Sequence, residues 1–208
     1  MGHIRVGTYF SVMSSFLPKL IQVYRERHPA IGLSLVEGNT MELNKFLKNR
    51  TVDFAFATRR GFEEFEFIPL LQDELLAVLP EGHPLCEKEI ITPQELFQYP
   101  IISTEEDSEC DLEEISRLAG AEPKISLRSK IETSILALVA CNMGVAVIPS
   151  LYLLQPYPGL EIRKLETPCD YREIGIVAIS MKELSPASRE FVEMIPGNLQ
   201  DCLDQIVC

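Results

Sequence analysis

Three short stretches of this chain group residues able to hold a small polar molecule. The first is Gly7-Thr8, with Ser11 four residues after Gly7 and Ser14 and Ser15 one turn later. The second is Glu37-Gly38-Asn39-Thr40, and the third is Thr58-Arg59-Arg60-Gly61. Where a strand end feeds a helix start, free backbone N–H groups and the positive end of the dipole point outward and suit a carboxylate. Hydroxyls at such a spot add donors. Each residue also has a plainer reading. Ser11 is either an anion contact or only an N-cap. Asn39, with Glu42 three residues on, forms a capping box, and Thr40 takes the first helical position. Thr58 at a strand end can simply satisfy backbone groups. Arg59 and Arg60 are either counter-ions for a ligand carboxylate or a surface pair flanking a turn. Tyr9, Phe10 and Met13 could line a pocket, although Met13 suits a core better.

Catalytic spacing is missing. There is no G-x-S-x-G, P-loop or G-x-G-x-x-G fingerprint. His3, His28 and His83 lie far apart and two of them precede a proline, which speaks against a zinc site. The six cysteines have no C-x-x-C spacing and read as reduced thiols, some of them buried, with a redox sensor at Cys110 or Cys169 as the lesser reading. No metal or cofactor is expected. Against 19 Lys plus Arg stand 31 Asp plus Glu, and the resulting −12 is the wrong sign for gripping a phosphate backbone. No apolar run reaches the length of a membrane span, and Met1-Gly2-His3 leads straight into a strand pattern, so neither a membrane nor a secretion signal is expected and the cytoplasm is. Val6 stands where a myristoylation motif wants Ser or Thr.

The elements that must position these stretches follow from periodicity. Residues 4–8 read as a strand. From Phe10, the apolar positions Val12, Met13, Phe16, Leu17, Leu20, Ile21 and Val23 predict one helix with a single buried face, kinked or packed as a first turn at Pro18. A strand at 31–36, a helix at 41–48 and a strand at 51–57 complete a β-α-β-α-β run, hence a parallel doubly wound sheet. Thr8, residues 38–40 and Thr58 then fall at the carboxyl ends of strands, where such sheets hold ligands. Two strands, 67–71 and 75–79, precede a turn cluster at 80–84, and Thr92 caps a helix that starts with Pro93. A strand at 99–103, a helix at 112–119 ended by Gly120, a strand at 124–128, a helix at 132–143 stopping at Gly144 and a buried strand at 145–148 make a second such unit. Glu132 and Thr133 open that long helix, as a cap or as a ligand contact. Two lobes in 208 residues imply a cleft. A strand at 171–180 is long enough to cross between lobes. A helix from Ser185-Pro186 through Val192 and Ile195 is expected to end at Pro196-Gly197, leaving a short helical tail.

Several segments, in order and spacing, carry a family resemblance: IRVGTYFSVMSSFLPKLIQVYRERHP, LVEGNTMELNKFLKNRTVDFAFA, HPL at 83–85, LVACNMGVAVIP at 138–149 and LSPASREFVEMI near the end. Over residues 4–196 the chain resembles the effector-binding domain of LysR-type transcriptional regulators. The resemblance implies an α/β fold of two doubly wound Rossmann-like lobes joined by crossing strands, similar to type 2 periplasmic binding proteins. It places lobe I at 1–74 plus 180–208 and lobe II at 75–179, and it implies that the family's winged helix-turn-helix is absent from this chain. It implies a small-molecule effector, an acid or amino acid, held between the lobes, and no enzymatic activity. It also implies a homodimer, a higher oligomer at full length, and DNA contact only through the missing domain. By position, Ser11 matches the helix-start hydroxyl that holds the effector, Thr40 the second one, and Ser103-Thr104 the rim of the second lobe. Thr8, Asn39, Thr58 and Thr133 complete the candidate ligand set. The dimer would use the helix from Phe16 to Tyr24, with Leu20, Tyr24, Lys19 and Arg27. Two departures stand out. Asn142 replaces the usual glycine after the long helix and is expected to be its cap. Glu105, Glu106, Asp107, Glu109, Asp111, Glu113 and Glu114 either face the cleft, favouring a ligand amine, or form a solvated loop and helix face. A transporter's solute-binding protein is the alternative reading of the same fold.

Overall fold

The computed structural model describes residues 2–104 and 111–204. It divides into two units, one of residues 1–72 with 173–208 and one of residues 73–172. The first unit opens with strand β1 (His3–Thr8), then a single helical turn α1 (Phe10–Met13), helix α2 (Leu17–Arg27), strand β2 (Gly32–Glu37), helix α3 (Thr40–Lys48) and strand β3 (Phe54–Thr58). β1 lies between β2 and β3 and pairs parallel with both, the β-α-β-α-β arrangement that the periodicity predicts. The close approach at the centre depends on Gly7, where a Cβ would stand 3.0 Å from a Leu43 methyl and 3.1 Å from the Ala55 Cβ. Arg5, the one charge in β1, is held in a fork by Asp53, with its Nε 3.1 Å and its backbone N–H 2.9 Å from the two carboxylate oxygens.

The single helix expected from Phe10 onward is broken in two. Ser14 and Ser15 turn their hydroxyls back onto the carbonyls of Phe10 (2.8 Å) and Ser11 (2.6 Å), competing with the backbone ladder. Pro18, which can neither donate nor tolerate the carbonyl four residues earlier, then sits in the first turn of a new helix. Leu17, Leu20 and Tyr24 of α2 are fully buried in their own unit, Tyr24 stacking edge-on against Phe191 (5.0 Å). That corrects the dimer face read from the sequence: Leu20 and Tyr24 are spent on the protomer's own core.

The long strand β4 (Glu66–Pro80) carries the chain out of the first unit. Two strands, 67–71 and 75–79, were expected there; instead Asp73 between them is buried and paired, and the strand runs on. In the second unit follow β5 (Ile90–Ile91), α4 (Pro93–Leu96), β6 (Pro100–Thr104), α5 (Asp111–Ala119), β7 (Lys124–Ser129), α6 (Glu132–Ala140), β8 (Ala146–Pro149) and β9 (Leu160–Leu165), a strand the sequence reading missed. Alternation along the strands feeds two cores. Leu75, Ala77, Leu79 and Ile101 join Leu112 and Ile115 of α5 on one side. Val78, Ile102 and Ile148 join Ile135, Leu136 and Val139 of α6 on the other. A sheet buried on both faces by helices is the doubly wound pattern again. Asn142 takes the left-handed conformation (φ 59°) just past α6, as its place in the sequence suggested.

β10 (Tyr171–Ala178) returns the chain to the first unit, where it runs antiparallel to β3. Helix α7 (Pro186–Asp204) closes the fold as one continuous helix with Pro196 inside it. The expected break at Pro196 is overridden because Phe191, Ile195, Leu199 and Cys202 continue one buried stripe. An interior proline costs about 3 kcal/mol, while each fully buried large apolar side chain returns about 1.5–3 kcal/mol.

Candidate functional site

In the first unit the carboxyl ends of β1 and β3 and the start of α3 meet in a chain of hydroxyls. Tyr9 follows β1 and is 7% exposed. Its Oη lies 2.6 Å from Thr40 Oγ1, the first residue of α3, and 3.1 Å from Thr58 Oγ1, the last residue of β3. Thr58 Oγ1 in turn donates to the Arg60 carbonyl oxygen at 3.0 Å. The loop after β3 is tied to α3 a second time, by Asn44 Nδ2 donating to the Gly61 carbonyl at 3.0 Å. Tyr9 was read from the sequence only as a pocket-lining candidate; its role as the joint between two predicted site residues needs the tertiary pairing of β1 with β3.

The start of α3 is a capping box. Glu42 N–H donates to Asn39 Oδ1 and Asn39 N–H to Glu42 Oε2, both at 2.9 Å. Leu43 N–H is bonded to the Asn39 carbonyl. The N–H groups of Thr40 and Met41 are the remaining donors of this first turn. Thr40 and Met41 are, respectively, half-buried and exposed. Asn39 is therefore the cap of its helix, and the open donors belong to the two residues after it.

The other predicted residues are placed differently. Thr8 is fully buried and its hydroxyl donates to the Tyr9 carbonyl (3.0 Å). Ser11 is also fully buried, but it is not an N-cap: Tyr9 holds that position without a side-chain cap, and Ser11 lies inside a single turn of four residues. Arg59 is exposed and stands over the Phe67 ring at 5.5 Å. In the second unit, Ser103 is buried and Thr104 half-buried at the end of β6, with Arg128 Nη1 donating to the Thr104 carbonyl at 3.1 Å. Thr133 is the second residue of α6; the cap there is Ile131, so neither Glu132 nor Thr133 caps that helix. Of the acidic stretch, Glu105, Glu106, Asp107 and Glu109 lie outside the described residues, as does Cys110. Asp111, Glu113 and Glu114 form the first turn of α5, where carboxylates complement the dipole, and Glu114 pairs with Arg117 at 2.6 Å.

A second polar network was not foreseen. Asp73 of β4, its side chain wholly covered, accepts from Ser150 Oγ (2.8 Å) and the Leu151 N–H (2.9 Å) on one oxygen. Its other oxygen accepts from Arg172 Nε (2.9 Å) and Nη2 (2.8 Å). Burial works against the Arg172 charge, yet Asp73, Asp111 and Tyr152 outweigh it and hold the guanidinium above its ordinary range. Asp73 stands beside Glu74 in β4 and Arg172 beside Glu173 in β10, so the sequence alone did not mark which charges would be buried, where an unpaired one is not tolerated.

Among the described residues, no group of His, Cys, Asp and Glu is arranged to hold a metal ion, and no helix is long and apolar enough to cross a membrane. The family model described as the LysR substrate binding domain matches residues 1–200. An uncharacterised HTH-type transcriptional regulator of Bacillus subtilis (strain 168), YvbU, is 30% identical over 197 residues, covering 93% of this chain and 66% of that protein. This chain thus spans just under two thirds of that relative's length. Among solved structures, the regulatory domain of CcmR from Synechocystis PCC6803 in complex with 2-PG superposes with a TM-score of 0.86 at 20% identity, covering 95% of this chain and 97% of that one. The effector-binding domain of QuiR in complex with shikimate gives 0.82 at 24% identity, covering 98% and 96%.

Proposed function

Because the chain belongs to the LysR substrate-binding domain family and has its type 2 periplasmic-binding-protein-like fold, we propose that it senses a small metabolite for a transcriptional regulator. The ligand is a small acid or amino acid, and its first-unit contacts centre on Thr40. The observation that carries this reading is the joining of Thr40 and Thr58 through Tyr9 at the strand ends, beside the N–H groups of Thr40 and Met41. A carboxylate there gains two backbone donors and the positive end of a nine-residue helix. Thr8, Ser11, Asn39 and Thr58 support or border that position, and Ser103, Thr104 and Thr133 are proposed as the ligand-binding residues of the second unit. Phe10 and Met41, 43% and 56% exposed, offer apolar surface to the rest of the ligand.

The domain acts by binding and not by catalysis. Ligand binding biases a population of conformers in the whole regulator. DNA contact is assigned to another part of that regulator, since a net charge of −12 repels phosphates. The protein works as a homodimer in the cytoplasm, and α2 offers Gln22, Arg25 and Glu26, not Leu20 or Tyr24, to any partner. That YvbU, the 30% identical relative, is a transcriptional regulator favours this reading over a transporter's solute-binding protein.

A thermal-shift screen of small carboxylic acids and amino acids tests the proposal. A ligand at a hundred times its Kd stabilises the fold by about 2.7 kcal/mol, and Thr40→Val should remove about half of that gain. A stabilising ligand indifferent to Thr40→Val places the site elsewhere.

A further inference from the structure

The hydroxyl chain has a sense as well as a position, and that sense narrows the ligand class if the site proposed above is right. Three hydrogen bonds join its members in series: Thr40 Oγ1 with Tyr9 Oη, Tyr9 Oη with Thr58 Oγ1, and Thr58 Oγ1 with the Arg60 carbonyl. Each hydroxyl owns one proton, so three bonds consume all three. A carbonyl only accepts, so the last bond takes the Thr58 proton. The middle bond then takes the proton of Tyr9, and the first bond that of Thr40. The series reads Thr40 to Tyr9 to Thr58 to Arg60, and no other assignment satisfies these three bonds together.

We infer that Tyr9 is a positioning residue that fixes this sense, so that the Thr40 hydroxyl meets an effector as an acceptor and selects a ligand carrying a hydroxyl or ammonium at that point. Its proton is committed inward to Tyr9, and what remains outward is lone-pair density. A carboxylate or keto oxygen placed there sets acceptor against acceptor. The backbone N–H groups of Thr40 and Met41 have the opposite polarity, a few ångströms away along the same first turn. One ligand class satisfies both: an acid with a hydroxyl or amino group on the carbon next to its carboxylate. Reversing the series to accommodate an oxo acid would break the bond from Thr58 to the Arg60 carbonyl.

Two measurements on the full chain test this. Calorimetry with the matched probes lactate and pyruvate, and 2-hydroxyglutarate and 2-oxoglutarate, reads the preference. The hydroxy member should bind about tenfold tighter, the size of one hydrogen bond. Tyr9→Phe keeps the ring, frees the Thr40 proton and should bring the ratio close to one. Thr58→Val lets Tyr9 donate to Thr40 and should turn the preference toward the oxo acid. An oxo-acid preference in the wild type, or a ratio that neither variant moves, overturns the inference. Independently, the Tyr9 hydroxyl proton, buried enough to be followed by NMR at low temperature, should show its nuclear Overhauser contact to Thr58. Contact to Thr40 instead overturns the assigned sense. If none of the probes binds while the Tyr9 proton lies on Thr58, the small-acid reading of the site fails and the ordered chain stands.

Discussion

In the second unit, Asp73 has its side chain fully covered and receives four hydrogen bonds, two on each oxygen. In the first unit, the series through Tyr9 is uncharged, begins at a half-buried threonine and leaves an oxygen with lone pairs and no proton to give. The contrast separates two uses of buried polarity. A carboxylate deep in a doubly covered sheet must have its valences filled by the protein, because an uncompensated charge there is prohibitive. A neutral hydroxyl series at strand ends can stop short of closure at modest cost, and the open end is where we propose that the ligand binds. The Asp73 network holds a fold together; the hydroxyl series is the one we propose a ligand completes.

The contrast breaks most visibly at Asp73. Asp73→Asn removes the carboxylate that the buried Arg172 guanidinium pairs with and should cost about 3–5 kcal/mol in urea unfolding. Replacing both partners together, by Asp73→Leu with Arg172→Met, should recover most of that loss, since a packed apolar pair needs no compensation. A cost below about 1 kcal/mol for Asp73→Asn would show that the pair is not closed as described.

Thr40→Val should have the opposite profile. It keeps the shape of the side chain and removes one hydroxyl, so effector affinity falls about tenfold while unfolding free energy changes by no more than about 1 kcal/mol. A loss of stability as large as that at Asp73 would mean that the hydroxyl series is structural too.

A smaller effect sharpens the comparison from a third position. His83 precedes the short 3-10 turn at Pro84–Glu87, where its Nδ1 accepts from the Leu85 N–H at 3.3 Å and its ring meets Tyr99 edge-on at 4.4 Å. Burial holds this imidazole below its ordinary value of 6.5. The unfolded chain therefore takes up the proton first. Stability from His83 is fully present above the ordinary value and is lost as pH falls through it toward the lowered one. His83→Gln should flatten that slope between pH 7 and 5, measured by thermal unfolding across the range; an unchanged slope assigns the loss to other groups.

Much of this molecule was legible before folding. Alternation and helical spacing gave the β-α-β-α-β order of the first unit, and Asn39 with Glu42 gave the cap of α3 in advance of any contact. What periodicity could not show was competition. The helix after β1 is cut by serines bonding backward and by Pro18, whereas Pro196 leaves α7 whole because its buried stripe continues past it. The polar residues Gln72-Asp73-Glu74 separate two apolar runs, and a sequence does not show that Asp73 will find Arg172 ninety-nine residues later. The candidate site was legible as three strand-end stretches, but not as a series with a sense. Tyr9 joins Thr40 and Thr58 only through the parallel pairing of β1 with both of its neighbours.

The central claim, that the effector binds at the open end of the hydroxyl series, is tested most directly by amide chemical-shift mapping. The 15N-labelled chain is titrated with the tightest ligand from the acid and amino-acid screen. The account predicts that the Thr40 and Met41 amides move first and furthest, with Tyr9 and Thr58 following, and that Thr40→Val raises the ligand concentration needed for the same pattern about tenfold. Saturable shifts confined to other residues, with Thr40 and Met41 unmoved, would contradict it.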